Sequence, residues 1–132
     1  MTSLNLRALG DLGSGGLIRP AAEKFAGAWL ACSLVMARGN VLAAFSIEHM
    51  LIATICGIVG ALVTVALLLQ MDRSTDSVYR QATIAAVATF IGDTFAHGSH
   101  LPPQWMEPLL TGAVSAAIAV SVWHAKRWAR FA

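Results

Sequence analysis

The sequence predicts an all-α integral membrane protein with three transmembrane helices. Residues 50 to 71 contain no charged side chain, and a helix of that length measures roughly 33 Å, enough to cross a bilayer core of about 30 Å. Of the 132 residues, 57% are hydrophobic and only 12% are charged, whereas a soluble domain of this size needs more charge to cover its surface. Two further apolar stretches follow, so we expect spans at about 49–70, 81–101 and 108–124.

Prolines delimit the second and third spans. The second has an alanine-rich core, ATIAAVATFIG, and ends before Pro102 and Pro103, because proline removes a backbone donor and restricts the residue that precedes it. The third begins at Pro108, which suits the first turn of a helix because its missing N–H costs nothing there. This span is short, so it must stand nearly upright or extend into the C-terminal residues.

The N-terminal third of the chain leaves three alternatives open. Residues 1–24 are rich in glycine and predict a flexible segment. Residues 25–48 contain the apolar stretch FAGAWLACSLVMA, and we favour a short helix at about 23–37 that lies at the membrane interface or packs against the spans. A fourth span would have to continue past Arg38 and Asn40, near its middle. The third alternative is a secretory signal sequence.

The distribution of basic residues predicts the orientation of the spans. In the three-span arrangement the loop 71–80 and the tail 125–132 lie on one side of the membrane, and the opposite loop, 97–108, has no Lys or Arg. Because basic segments stay in the cytoplasm, we expect a multi-pass protein of the cytoplasmic (inner) membrane, with a cytoplasmic C-terminus and an external N-terminal segment. The basic tail would then contact anionic lipid. The basic residues of the loop are Arg73 and Arg80, and those of the tail are Lys126, Arg127 and Arg130.

Small residues recur at every fourth position of each predicted span. Such stripes let helix backbones approach closely, which favours helix association in lipid. Because three thin helices bury little against one another, we expect a homo-oligomer, while packing within one chain is the alternative use of the stripes. The residues concerned are Ala53, Gly57 and Ala61, then Ala88, Gly92 and Ala96, then Gly112 and Ala116.

A polar face runs along the second span. Asp93, His97 and His100 stand at positions i, i+4 and i+7, on one side of a helix. A charge near the bilayer centre costs about 2.5 to 3.5 kcal/mol, so Asp93 should face protein or water, or carry a proton. Thr89 and Thr94 extend the same face, and we expect these five residues to form the polar face of the membrane domain or the lining of a pore.

Several roles for this polar face stay open. A carboxylate with two imidazoles suits a divalent metal, but a structural hydrogen bond between Asp93 and a histidine, or a water-lined path, uses the same residues. His49 and Glu48, at the end of the first span, should lie nearby, and His49 with a histidine of the second span would also allow b-type haem. The two cysteines, Cys32 and Cys56, lie in apolar stretches, where we expect small apolar residues rather than a disulfide or metal ligands.

The sequence contains none of the common motifs of soluble enzymes. It has no phosphate-binding glycine loop, no HExxH, no CxxC and no GxSxG. A net charge of +2 does not favour nucleic-acid binding. We therefore expect neither enzymatic activity nor a cofactor, and lipid as the main partner.

The layout of residues 41–132 resembles the three-span (class I-like) phage holins. It is similar to them in size, in three closely spaced spans, in the predicted orientation and in the short basic tail HAKRWARFA. The resemblance implies a protein that oligomerises in the cytoplasmic membrane and opens lesions, through which a murein hydrolase reaches the cell wall. The polar face would then line the opening, and the N-terminal extension departs from the holin pattern.

Two other functions stay open beside the holin. One is a small ion or metal transporter, or a channel subunit, that uses Asp93, His97 and His100. The other is a membrane-anchor subunit of a larger complex, with or without haem.

Overall fold

The protein folds as an all-helical bundle in a computed structural model that describes residues 16–71, 77–97 and 106–132. The elements are α1 (Ile18–Ala37), α2 (Val41–Ala44), α3 (Ile47–Gln70), α4 (Val78–Ala96) and α5 (Met106–Phe131). Helix α2 is one short turn between α1 and α3, and the other four helices form the bundle. Helices α1 and α4 each pack against both α3 and α5, and they also contact each other.

Two of these helices are long and apolar enough to cross a membrane. Helix α3 has a mean hydropathy of 2.6 and follows the first predicted span closely, beginning two residues before it at Ile47. Ser46 caps its N-terminus by accepting a hydrogen bond from the backbone N–H of His49, as a serine in extended conformation does before a helix. Helix α5 has a mean hydropathy of 1.4. The fold class is therefore α-helical with two candidate spans among the described residues.

The second and third predicted spans have different bounds in the structure. Helix α4 begins three residues before 81 and ends at Ala96, with His97 as its C-cap. Residues 98–101 of the predicted span lie outside the described part of the chain. The ring and the backbone N–H of His97 both contact the carbonyl oxygen of Asp93, which closes the last turn. Helix α5 continues to Phe131. The predicted tail 125–132 is thus almost entirely the end of this helix, as the shortness of the third span required.

The N-terminal apolar stretch forms a packed helix of the bundle. Helix α1 starts at Ile18, five residues earlier than predicted, so the predicted flexible segment is helical from that residue on. It ends at Ala37, because Arg38 and Gly39 have φ angles of 46° and 83° and leave the helical conformation. The alternative of a fourth span running continuously through Arg38 and Asn40 is therefore wrong. Residues 1–15 lie outside the described part of the chain.

Small residues bring the helix backbones into close contact within one chain. A Cβ atom built on Gly92 of α4 would lie 2.5 Å from the carbonyl oxygen of Cys56 on α3, and one built on Gly112 would lie 3.0 Å from the carbonyl oxygen of Ala86. Gly57 is covered by the ring of Phe25. The small-residue stripes are thus used inside the bundle, and association between chains stays a prediction. Ala53, Gly57, Ala88, Gly92 and Gly112 are buried, and Ala61, Ala96 and Ala116 are half-buried.

An ion-pair cluster joins α1 to the end of α5. Lys126 Nζ donates to Glu23 Oε1, and Arg19 Nε lies 3.3 Å from the same oxygen. Lys24 Nζ reaches the carbonyl oxygen of Gln81 at the start of α4. The beginning of α1, the beginning of α4 and the end of α5 therefore lie at the same end of the bundle, which we call the basic end.

This cluster predicts a pH-dependent contribution to stability. Glu23 can pair with Lys126 and Arg19 as an ion only while its carboxyl group is ionised. The stabilisation from these ion pairs is therefore present at neutral pH and is lost when acid protonates Glu23. We expect Glu23→Gln to lower the melting temperature at neutral pH and to match the wild-type protein in acid. A melting difference that persists in acid, measured by circular dichroism in detergent, would contradict this.

Candidate functional site

Three potential ligand side chains meet in the interior of the bundle. Cys32 comes from α1, Cys56 from α3 and Asp93 from α4, and all three are fully buried. The thiol of Cys32 donates to Asp93 Oδ1 over 3.2 Å. The two sulfur atoms and a carboxylate oxygen of Asp93 lie within 4.8 Å of one another. We call these three residues the interior cluster.

The local sequence explains why the interior cluster forms. Gly92 precedes Asp93 and has no side chain, so the backbone of α4 rests directly on the carbonyl oxygen of Cys56. Cys56 is followed by Gly57, which lets the ring of Phe25 pack on α3. Gly57 on α3 and Gly92 on α4 therefore bring α1, α3 and α4 close enough for the short side chains of the interior cluster to meet.

One oxygen of Asp93 has no partner. Among the described residues nothing donates a hydrogen bond to Asp93 Oδ2, and the atom is buried. A buried polar atom without a partner costs about 1–3 kcal/mol, and more if the group is charged. A proton or a bound cation on the carboxylate would remove this cost.

His97 connects Asp93 with a second carboxylate. Its Nδ1 atom lies 3.2 Å from Asp93 Oδ1, and its Nε2 atom lies 3.4 Å from Glu107 Oε1, at the start of α5. Ionised carboxylates only accept, so the imidazole can hydrogen-bond to both groups only when it carries two protons or when one of the two carboxyl groups is protonated. The predicted i, i+4 pairing of Asp93 and His97 is present, and His100 lies outside the described residues.

A pocket of about 410 Å³ opens beside His97, at the opposite end of the bundle from the basic end. His49 is held in its wall, where its Nδ1 atom contacts Ser46 Oγ and the carbonyl oxygen of Ala43. The expectation that His49 and Glu48 lie near the second span is confirmed. The pocket is lined by Met36, Arg38, Glu48, His49, Ile52, Ala96, His97 and Glu107. We call it the acidic-end pocket.

Of the two threonines of the predicted polar face, one lies in the interior of the bundle and the other is half-buried. Thr89 is buried one turn before Asp93, and its hydroxyl donates to Ser115 Oγ of α5 over 2.7 Å. Thr94 is half-buried and donates to the carbonyl oxygen of Phe90 in its own helix. The face thus points mainly into the bundle of a single chain.

A second pocket, of about 270 Å³, reaches Ser115 from the basic end. It lies between α1, α4 and α5, and Glu23, Lys24 and Lys126 stand in its wall. Because Ser115 accepts from Thr89, this basic-end pocket is connected to the residue one turn from Asp93. Polar side chains therefore reach into the bundle from each pocket, and Thr89 and Asp93, the innermost of them, lie one helical turn apart on α4.

The three basic residues predicted at the membrane surface differ in their contacts. Lys126 is part of the ion-pair cluster at the basic end. The guanidinium of Arg127 lies 5.3 Å from the ring centre of Trp123, a cation–π distance. Arg130 is exposed in the last turn of α5.

The meeting of the two cysteines with Asp93 was not predicted from the sequence. Both thiols are free and buried in the apolar core, as expected for small apolar residues. No spacing motif connects them with Asp93, because the three residues lie on different helices. A signal was present, however, because Cys56 adjoins Gly57 and Asp93 adjoins Gly92 on the small-residue stripes. Residues beside such stripes face neighbouring helices, which places these side chains in the interior.

Comparison with protein-family models, with curated proteins and with solved structures found no match to this chain. The function must therefore be argued from the bundle and its interior residues.

Proposed function

We propose that this chain is an integral membrane protein that carries a small cation through the interior of its helical bundle, as a channel or transporter subunit. The observation that carries the proposal is the buried carboxylate of Asp93, whose Oδ2 atom has no partner among the described residues and which lies on a polar path between two pockets. An intramembrane acid is costly, and such residues mark ion or proton pathways in membrane proteins.

The outer surface of the bundle supports a lipid environment. Large apolar side chains point outwards along the helices, among them Leu34 on α1, Leu51 and Leu62 on α3, and Leu109 on α5. A soluble protein would cover this surface with charge. Because α1 and α4 pack against the two candidate spans, we propose that all four long helices lie in the bilayer.

Four spans change the expected orientation of the N-terminal segment. At the basic end the described residues include Arg19, Lys24, Arg80 and Lys126, whereas the sequence has only Arg38 near the other end. Positive-inside logic then places the basic end in the cytoplasm, together with both the C-terminus and the start of α1.

The proposed path uses contacts between named atoms at both ends, and Thr89 and Asp93, one helical turn apart on α4, join the two halves. From the basic-end pocket, Ser115 and Thr89 provide hydroxyl oxygens that lead to Asp93. His97 lies between Asp93 and Glu107, and both His97 and Glu107 stand in the wall of the acidic-end pocket. Carboxylate, hydroxyl and imidazole groups arranged in this way can pass a proton, or hold a cation, one after another.

The proposal is tested by flux measurements on the purified chain in liposomes. We expect the protein to dissipate an imposed pH gradient, or to admit a divalent cation to a fluorescent indicator inside the liposomes, faster than protein-free liposomes do. Retention of a large dye under the same conditions would show that the bilayer is intact. If proton and divalent-cation fluxes both equal those of protein-free liposomes, the proposal fails.

The holin-like function is a second candidate, and the exposed apolar surface of the bundle, which suits lateral association in a bilayer, favours it. Thr89 and Asp93 would line water if bundles opened and associated laterally, while the apolar outer surface kept them in the bilayer. Expression in a bacterium should then collapse membrane potential and viable count abruptly after a delay, with lysis only when a murein hydrolase is co-expressed. Continued growth with an intact potential would remove the holin and leave the cation carrier.

A further inference from the structure

We infer that Cys32, Cys56 and Asp93 form a metal site for a thiophilic divalent cation of the Zn²⁺ class. The inference deepens the proposed function, because it names the class of cation for the same interior site. It therefore depends on one premise of the proposed function, namely that this interior site takes a cation. The two cysteines, rather than additional histidines, determine the class of metal.

The distances within the interior cluster are suitable for a metal. The three donor atoms lie within 4.8 Å of one another. With Zn–S bonds of about 2.3 Å and Zn–O bonds of about 2.0–2.2 Å, tetrahedral ligands stand roughly 3.5 to 3.8 Å apart. Side-chain rotations that shorten the longest observed separation between donor atoms by about 1 Å would bring all three donors into bonding range. The donors come from three different helices, so binding would also hold α1, α3 and α4 together.

The donor set selects the metal. Two thiolates favour Zn²⁺ and similar soft cations over Mg²⁺ or Ca²⁺, which prefer sites made only of oxygen ligands. One carboxylate completes a three-ligand set with an open fourth position. Sites with an open position exchange ligands more readily than closed four-ligand sites, which suits a cation that must also leave.

A second observation points independently to a ligand. Asp93 Oδ2 is buried and has no hydrogen-bond partner among the described residues, whereas Oδ1 accepts from the thiol of Cys32. A thiol is a weak donor, and it leaves the carboxylate poorly compensated. A divalent cation would satisfy the carboxylate and both sulfurs at once.

The net charge of such a centre follows from its ligands. Each cysteine loses its thiol proton to solvent as its Zn–S bond forms, so Zn²⁺ with two thiolates and one carboxylate carries a net charge of −1. His97 Nδ1 lies 3.2 Å from Asp93 Oδ1, a position from which a neighbouring side chain can orient a ligating carboxylate.

The test is a titration of the reduced, metal-free full-length protein in detergent with Co²⁺, a coloured substitute for Zn²⁺. We expect one equivalent to produce thiolate-to-cobalt charge-transfer absorption and the intense d–d bands of four-coordinate cobalt, and we expect Zn²⁺ to bleach them. Cys32→Ser and Cys56→Ser should lose most of the charge-transfer absorption, and Asp93→Asn should weaken binding at least tenfold. His124→Ala, which removes an exposed imidazole of α5, is the control and should bind as the wild-type protein does. A wild-type spectrum without charge-transfer absorption would overturn the inference.

A measurement without variants protects the test against misfolding. At a temperature high enough for the metal-free protein to react despite the burial of both thiols, Zn²⁺ should slow alkylation of Cys32 and Cys56 by a small maleimide, as counted by mass spectrometry of the reduced protein, and Mg²⁺ should not. Equal alkylation with and without Zn²⁺ would overturn the inference. Protection by Zn²⁺ without cation flux in liposomes would support the metal site and remove the transport function. Proton flux without protection would support transport and remove the metal site.

Discussion

Gly92→Ala is expected to destabilise the bundle by about 1–3 kcal/mol, the range for overpacked interiors. The new Cβ atom would lie 2.5 Å from the carbonyl oxygen of Cys56 and 3.2 Å from the backbone nitrogen of Gly60. Both neighbours are backbone atoms, so neither can rotate away, and α3 and α4 must move apart. Alanine raises helix propensity by up to about 1 kcal/mol, which offsets only part of this cost. Thermal unfolding in detergent, followed by circular dichroism, measures the difference.

Gly27→Ala is the matched control for this substitution. Gly27 is also a helical glycine, but a Cβ atom there meets only Ile118 Cγ2, at 4.0 Å, an ordinary van der Waals distance. We expect this variant to melt at the wild-type temperature or slightly above it, because it gains helix propensity without a clash. If both variants melt alike, α3 and α4 do not approach as closely as described, and the interior cluster loses its geometric basis.

The sequence was informative where one local property decides the structure. The uncharged run 50–71 led to a predicted span at 49–70, which matches α3 to within two residues at its start, because length and hydropathy alone determine a span. Helix α1 was less predictable, since its apolar stretch is short and its first turns carry charge. Arg19 and Glu23 at positions i, i+4 form an ion pair that fits a helix, but their glycine-rich preceding segment favoured disorder.

Only the part of the candidate site that lies on a single helix could be predicted from the sequence. Asp93 and His97 belong to one helix, so their spacing alone placed them together. Cys32 and Cys56 reach Asp93 only through the packing of three helices, and no spacing within one helix encodes that contact.

Asp93→Asn should abolish cation flux in liposomes while leaving the bundle folded. Asparagine has nearly the same shape and can still accept from the thiol of Cys32, so we expect unchanged helix content. It carries no negative charge and cannot exchange a proton, so the site between Thr89 and His97 loses its cation ligand. Flux should fall to the level of protein-free liposomes.

Thr94→Val is the matched control, because Thr94 adjoins Asp93 but bonds only to the carbonyl oxygen of Phe90 in its own helix in the described structure. Removing this local bond should leave flux within about twofold of the wild-type value, since it contributes only about 1 kcal/mol to the helix. Equal flux in wild-type protein and Asp93→Asn would eliminate Asp93 as the site and with it the cation carrier. For a holin, the same Asp93→Asn substitution should instead change the time at which the membrane potential collapses in growing cells. The two assays therefore separate a carboxylate that carries a cation from one that only sets the stability of the closed bundle.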